Sequence, residues 1–304
     1  MDSEKIVENG ESSTGRVKII QQMLNALGYN AGPEDDWFGP RTERALMDFQ
    51  KICFVNGRYD NATQKALEEI YLQWKESQTQ ILSLEKIPIT NYCLDLTDFF
   101  NEEYPKTQIV LHLNCGVPSA YYTIQYWRNL VGRIGTAFVI SGEFEAPYRS
   151  TKDGQIFRAF DEKKWAYNTG AGDEVDQRII AIEICNWGPL YKYGDKFYAQ
   201  AAINQEIPYP EVYDLGYEFR GVRYWHRITT KQWHSVKLLL GAISKKYEID
   251  ISGKYDQTWS DYDPKAVKGY RKGVLAHSSF IPESVKNRWD MPSFPELLEI
   301  LNGF

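Results

Sequence analysis

Cysteine is scarce in this chain, and the four present, Cys53, Cys93, Cys115 and Cys185, show no CxxC spacing. That excludes a disulfide-built scaffold and a cysteine-rich metal motif. Buried free thiols in a protein folded under reducing conditions are the expectation, although Cys115 and Cys185 stand close in sequence to two chemically suggestive residues. Positive charge is not in excess either. A formal net charge of -6 leaves no basic stripe for a general nucleic-acid binder. No window of apolar residues reaches transmembrane length. The first residues, MDSEKIVENGESSTG, are acidic and lack the charged start and apolar core of a signal peptide. Synthesis in the cytoplasm is therefore expected. No internal repeat is visible, and no local HExxH motif announces a metal site.

Against these absences, two distant stretches stand out. QIVLHLNCG (108–116) is a β-branched, apolar run that ends by delivering His112. Alone, a histidine in such a run is most often a satisfied core residue. At the far end, GVLAHSSFIPESVKNRWDMPSFP (273–295) presents a second apolar run ending in His277, followed by Arg288 and Asp290. Two neutral imidazoles and a carboxylate form a set that leaves tetrahedral zinc one open position. Between them, RIIAIEICNWG (178–188) places one acid, Glu183, inside an apolar run. A carboxylate there costs several kcal/mol of desolvation unless it is paired or used, which makes Glu183 a candidate general base. The other two histidines, His226 and His234, are ambiguous and are expected to pack or lie at the surface.

The remaining organisation follows from periodicity and punctuation. After a polar tail (1–14), apolar spacing at Val17, Ile20, Leu24 and Leu27 predicts a helix stopped near Gly28. PRTERALMDFQKI opens a second helix at Pro40, and the turn NGRYD leads to a third, NATQKALEEIYLQW. A small three-helix, all-α domain over 15–74 results, with a partly helical connection over 75–91 in which Pro88 is a breaker. The segment 92–304 alternates strands and helices, which predicts an α/β (α+β) domain with a mixed central sheet flanked by helices. Within it, 190–225 is rich in tyrosine and turn residues. It reads either as a subdomain packed on the core, the favoured reading, or as a groove wall. TTKQWHSVKLLLGAISKKY (229–247) predicts a Thr-capped helix burying Trp233, Val236, Leu239, Leu240 and Ile243. The 9 tryptophans and 21 tyrosines fit ordinary packing or sugar stacking about equally.

Taken with their order, the segments VLHLNCG, FVI, DGQIFRAFDEKKWAY, IAIEICNWGPL, AHSSF and RWDMPSF resemble the zinc-dependent N-acetylmuramoyl-L-alanine amidases of type 2. That family shares its fold with peptidoglycan recognition proteins. The resemblance implies one zinc ion on His112, His277 and Asp290, proton transfer by Glu183, and an oxyanion contact from Arg288 where many relatives have lysine. It further implies substrate contacts near Trp165, Asn168, Asn186 and Trp187. The chain departs from the family where histidine is common, at Ala137 and Asn168, and has Thr136 where some phage members have tyrosine. Separately, the spacing of Val17, Gln21, Leu24, Leu27 and Gly28, with DWFGPRTERAL, FQ, NGRYD and Thr63 to Leu67, resembles a small helical peptidoglycan-binding domain. Trp37 and Arg41 are the residues expected to meet its ligand.

These resemblances imply a peptidoglycan hydrolase of the phage or prophage endolysin kind, reaching the wall through a separate holin or secretion system. The alternatives are a non-catalytic recognition protein and an amidase that recycles soluble muropeptides.

Overall fold

A computed structural model describes residues 15–53, 61–79, 82–147, 149–202, 204–285 and 290–304. The expected tail, the turn NGRYD and Arg288 lie outside the described residues. The chain divides into two units, 1–80 and 81–304.

The first unit holds three helices: α1 (Arg16–Ala26), α2 (Pro40–Cys53) and α3 (Asn61–Thr79). Val17, Ile20 and Leu24 are buried along one face of α1 and meet Phe38, Leu46, Phe49 and Leu67 in one core. The Asp36 carboxylate accepts from the Gly15 and Lys18 amides at the start of α1, where free N–H groups and the helix dipole favour an anion. Gln21 is buried and donates to Asp35, to the Trp37 carbonyl and to Thr42, which ties the 35–42 loop to α1.

In the second unit the strands and helices run β1 (Ile89–Asn91), β2 (Gln108–Leu113), α4 (Ala120–Arg128), β3 (Phe138–Ile140), β4 (Ile156–Arg158), α5 (Asp173–Asp176) and β5 (Ile179–Ile184). There follow β6 (Pro189–Tyr193), β7 (Lys196–Ala199), β8 (Glu206–Ile207), β9 (Val212–Phe219), β10 (Val222–His226), α6 (Thr230–Tyr247), α7 (Pro264–Val267), β11 (Gly273–Ala276) and α8 (Pro295–Asn302). Six strands form one mixed sheet in the order β1-β4-β3-β5-β2-β11. β5, β2 and β11 are mutually parallel, and β3 joins β5 parallel and β4 antiparallel.

Every residue of β2 and β5 is buried, which is why these strands read as unbroken apolar runs. Strand alternation divides those runs between two cores. Ile109, Leu111, Leu113, Ile180, Ile182 and Ile184 join the main core with α4 and α6. Val110, Ile179, Ala181 and Leu275 face the other way, against Val175, Ala266 and Phe280. Helix α6 starts in a capping box between Thr229 and Gln232, and Val236, Leu239, Leu240 and Ile243 on it are fully enclosed.

Two stretches carry structural detail that periodicity does not give. The expected connection over 75–91 is structured at both ends: α3 runs to Thr79, and β1 pairs in parallel with β4. A three-residue strand beside Pro88 carries too little pattern to announce itself. The aromatic stretch 190–225 builds most of a second, five-stranded sheet, β8-β7-β6-β10-β9. Leu215, Phe219, Val222 and Trp225 of this sheet bury into the main core, while Leu190, Phe197, Ala199, Ile207 and Val212 form a small core of their own.

Candidate metal centre and its proton-handling neighbour

The parallel strands β5, β2 and β11 end side by side, and each delivers one polar residue there. His112 pairs directly with Glu183 in the β2–β5 ladder, so both side chains leave the sheet on the same face. β11 ends at Ala276, opposite Leu111, and His277 follows at once. The His112 and His277 rings lie 4.4 Å apart between centroids. All three residues belong to the alternation class of Val110, Ala181 and Leu275, so a one-residue register slip would turn the whole set into the opposite core.

Asp290 completes the group from the following loop. Its Oδ1 accepts from the Leu113 amide at 3.2 Å. Its Oδ2 lies 2.5 Å from Nδ1 of His277 and 3.8 Å from Nδ1 of His112. One donor atom from each of His112, His277 and Asp290 falls within 4.8 Å of the others. Tetrahedral zinc with bonds of about 2.1 Å needs donors about 3.4 Å apart, so the donor set fits such an ion by both chemistry and spacing.

The electrostatics agree with that geometry. Burial drives the His112 imidazole below its ordinary pKa, and a charge on His277 would lower it further, against the pull of Asp290 and Asn168. A neutral imidazole is the ligand form. Burial would raise Asp290, but the two histidines outweigh it and hold the carboxyl well below the usual range. Glu183 goes the other way: burial, then the Asp290 charge, lifts it well above an ordinary glutamate. Burial and charge thus push the two neighbouring carboxyls in opposite directions, Asp290 down and Glu183 up. Cys115 is pushed up by burial and by the same two carboxylates, so its thiol stays protonated, and it is absent from the donor cluster.

The other expected site residues divide. Asn168 lies beside His112. Trp165 is 4% exposed and stacked on Phe100 at 3.9 Å, and Asn186 is 1% exposed. Asn186 donates to the His226 and Arg227 carbonyls and accepts from the Gly188 amide. Trp165 is thus enclosed by packing and Asn186 by hydrogen bonds. Trp187 packs against the small core of the second sheet. Ala137 is buried, and its carbonyl accepts from the Ala159 amide at 2.9 Å.

Sequence reasoning passed over Asn114, whose Oδ1 accepts from the Asn186 amide at 2.7 Å and fastens the ends of β2 and β5 together. It also passed over Gly188, where φ is +72° and an added Cβ would sit 2.7 Å from Cys115 Sγ. Only glycine fits both the backbone conformation and the space there.

In the first unit, Trp37 is half exposed. With Gln21, Ala31, Pro33, Asp35 and Arg41 it lines a cavity of about 410 Å³. The loop expected to meet a ligand therefore does border a recess.

No curated protein sequence matches the chain. Solved structures overlap it only distantly. The catalytic domain of XlyA has 11% identity and a TM-score of 0.37, covering 67% of this chain and 95% of that one. A mutant endolysin from Bacillus subtilis has 12% identity and a TM-score of 0.38, covering 66% and 91%. AmpDH3 from Pseudomonas aeruginosa, in complex with anhydromuramic pentapeptide, has 16% identity and a TM-score of 0.37, covering 69% and 66%. Likeness of this degree assigns no chemistry to the present chain. Residues 13–67 match the family described as a putative peptidoglycan binding domain.

Proposed function

We propose that the chain is a zinc-dependent peptidoglycan amidase, hydrolysing the bond between N-acetylmuramic acid and the first L-alanine of the stem peptide. The observation that carries this reading is the convergence of His112, His277 and Asp290, with Glu183 as the direct ladder partner of His112. The peptidoglycan-binding match over 13–67 supplies the substrate class.

His112, His277 and Asp290 would hold the ion, which when bound supplies Lewis acidity toward a water molecule and the amide carbonyl. Glu183 removes a proton from the attacking water and returns it to the leaving alanine nitrogen. Its raised proton affinity suits it to carry the proton between the two transfers, and an amide nitrogen leaves poorly without that proton. Arg288, two residues before Asp290 in the sequence, is assigned the developing oxyanion. Such a contact contributes about 3 kcal/mol in comparable sites. The first unit holds the enzyme on an insoluble polymer through the recess at Trp37 and Arg41, which favours intact wall over soluble muropeptides. The phage-type lytic role, with access to the wall through a holin or secretion system, belongs to this same reading. No described helix is long and apolar enough to cross a membrane.

The test is to incubate the protein with purified walls and assay two kinds of new end group. New L-alanine amino termini without new reducing sugar ends establish the amidase. Reducing ends without amino termini would replace it with a glycosidase.

A further inference from the structure

We infer that the outer end of the second sheet is a saccharide-binding face, on which Tyr191, Tyr193 and Tyr198 stack against the sugar rings of a peptidoglycan glycan strand. The inference rests on the wall-polymer reading above and deepens it, because it names the part of that polymer met by the aromatic stretch 190–225.

Strand register puts the residues together. Tyr191 pairs with Tyr198 across β6 and β7, Tyr193 pairs with Lys196, and Tyr198 pairs with Glu206 on β8. Residues opposite each other in a ladder, and those two apart along a strand, leave the sheet on one face. The three rings therefore share a face with Lys196 and Glu206. The Tyr191 and Tyr198 rings are stacked, 5.4 Å between centroids and 21° from parallel. Tyr193 is 78% exposed, and the Lys196 ammonium meets the Glu206 carboxylate at 2.7 Å.

Folding does not account for these rings. The opposite face of the same strands is closed by Leu190, Phe197, Ala199 and Ile207. On the tyrosine face, the root of the sheet is drawn into the main core through Trp225, opposite Pro189. Among the described residues, neither core includes the three tyrosines.

Charge and area select the occupant. Lys196 and Glu206 neutralise each other on a chain of net charge -6, so the face has no excess of cations to draw a polyphosphate. A fully covered tyrosine buries about 200 Å², and Tyr191 and Tyr198 are already half-buried. The platform thus falls short of the roughly 800 Å² per partner of a stable protein interface. A sugar ring needs less. Its C–H face packs on the electron-rich face of an aromatic ring, while its hydroxyl and acetamido groups exchange hydrogen bonds with Lys196 and Glu206. β6 begins at Pro189, at most about 20 Å of chain beyond Glu183, so a glycan held here keeps its stem peptide near the candidate centre.

The experiment reads binding on the full-length chain, in a Trp37→Ala background that removes the contribution of the first unit's recess. Peptide-free glycan strands and free stem peptides, both prepared from purified walls, are titrated by calorimetry. Tyr193→Ser should weaken glycan binding about tenfold, and adding Tyr198→Ser should abolish it. Tyr193→Phe, which keeps the ring, should bind like the parent, and stem-peptide binding should be the same in all. A parent that binds no glycan strands overturns the inference, as does unchanged glycan affinity in Tyr193→Ser or a loss confined to stem peptides. A dimer in light scattering that Tyr193→Ser dissolves also overturns it, by giving the face to a second copy of the chain. Should the double variant not fold, Tyr193→Ser alone decides, since that side chain is exposed. Glycan binding that depends on Tyr193, in a protein that releases no stem peptide from walls, would sink the amidase reading and leave this inference standing.

Discussion

His112 and Glu183 face each other across the β2–β5 ladder as direct register partners. A candidate ligand and a candidate proton carrier are thus fixed by backbone pairing rather than by a mobile loop. Such an arrangement separates their functions cleanly under mutation.

Glu183→Gln should lower cleavage about 10²- to 10⁴-fold, the usual worth of a general acid–base group, while leaving zinc content at one ion. Amide-bond cleavage and metal content measured on the same preparation check this. Lost zinc would make Glu183 a ligand.

His277→Ala and Asp290→Ala should each lose both zinc and activity. Zinc at one hundred times its dissociation constant should stabilise the wild type by about 2.7 kcal/mol. Neither variant should show that gain in thermal unfolding. An active, zinc-stabilised His277→Ala protein contradicts the ligand set.

Trp37→Ala should weaken co-sedimentation with walls about tenfold, near 1.4 kcal/mol, and leave cleavage of small soluble fragments unchanged. Equal wall binding by the variant would show that the recess of the first unit does not hold the polymer.

Lys106 yields a pH dependence. Burial pushes its ammonium down to about 8 from 10.5, ahead of the opposing pull of Asp161, Asp176 and Glu162. Between those values the unfolded chain binds a proton that the folded protein lacks, so this group's contribution grows as pH rises from about 8 to 10.5 and is lost as pH falls through 8. The difference in unfolding free energy between wild type and Lys106→Met should therefore climb by up to about 3 kcal/mol across that window. A flat difference in denaturant titrations would show that Lys106 keeps its charge in the folded state.

The sequence discloses the candidate cluster because its parts interrupt strong patterns. His112 and Glu183 are polar residues inside apolar runs, and their strands are apolar throughout because both faces are covered. Asp290 is legible only through its place after AHSSF in the family resemblance. What escaped depends on pairing between distant residues. Trp165 and Asn186 carry groups common at binding sites, yet Phe100 and the His226 and Arg227 carbonyls claim them. Asp176 reads as any acid in the short run DEVD until Thr169 is seen to spend one of its oxygens. The tyrosines and turns of 190–225 suggest short extended pieces packed on the core but not their pairing into a five-stranded sheet, because its buried residues divide between two cores across several short strands.

The central claim is tested most directly by digesting purified peptidoglycan with the protein as prepared, after chelation, and after zinc is restored. Mass spectrometry of the released fragments and a zinc assay accompany each arm. Stem peptides beginning with L-alanine, lost on chelation and regained with zinc, are the expected result. Zinc-loaded protein that binds walls and releases nothing would contradict the account and make the chain a recognition protein.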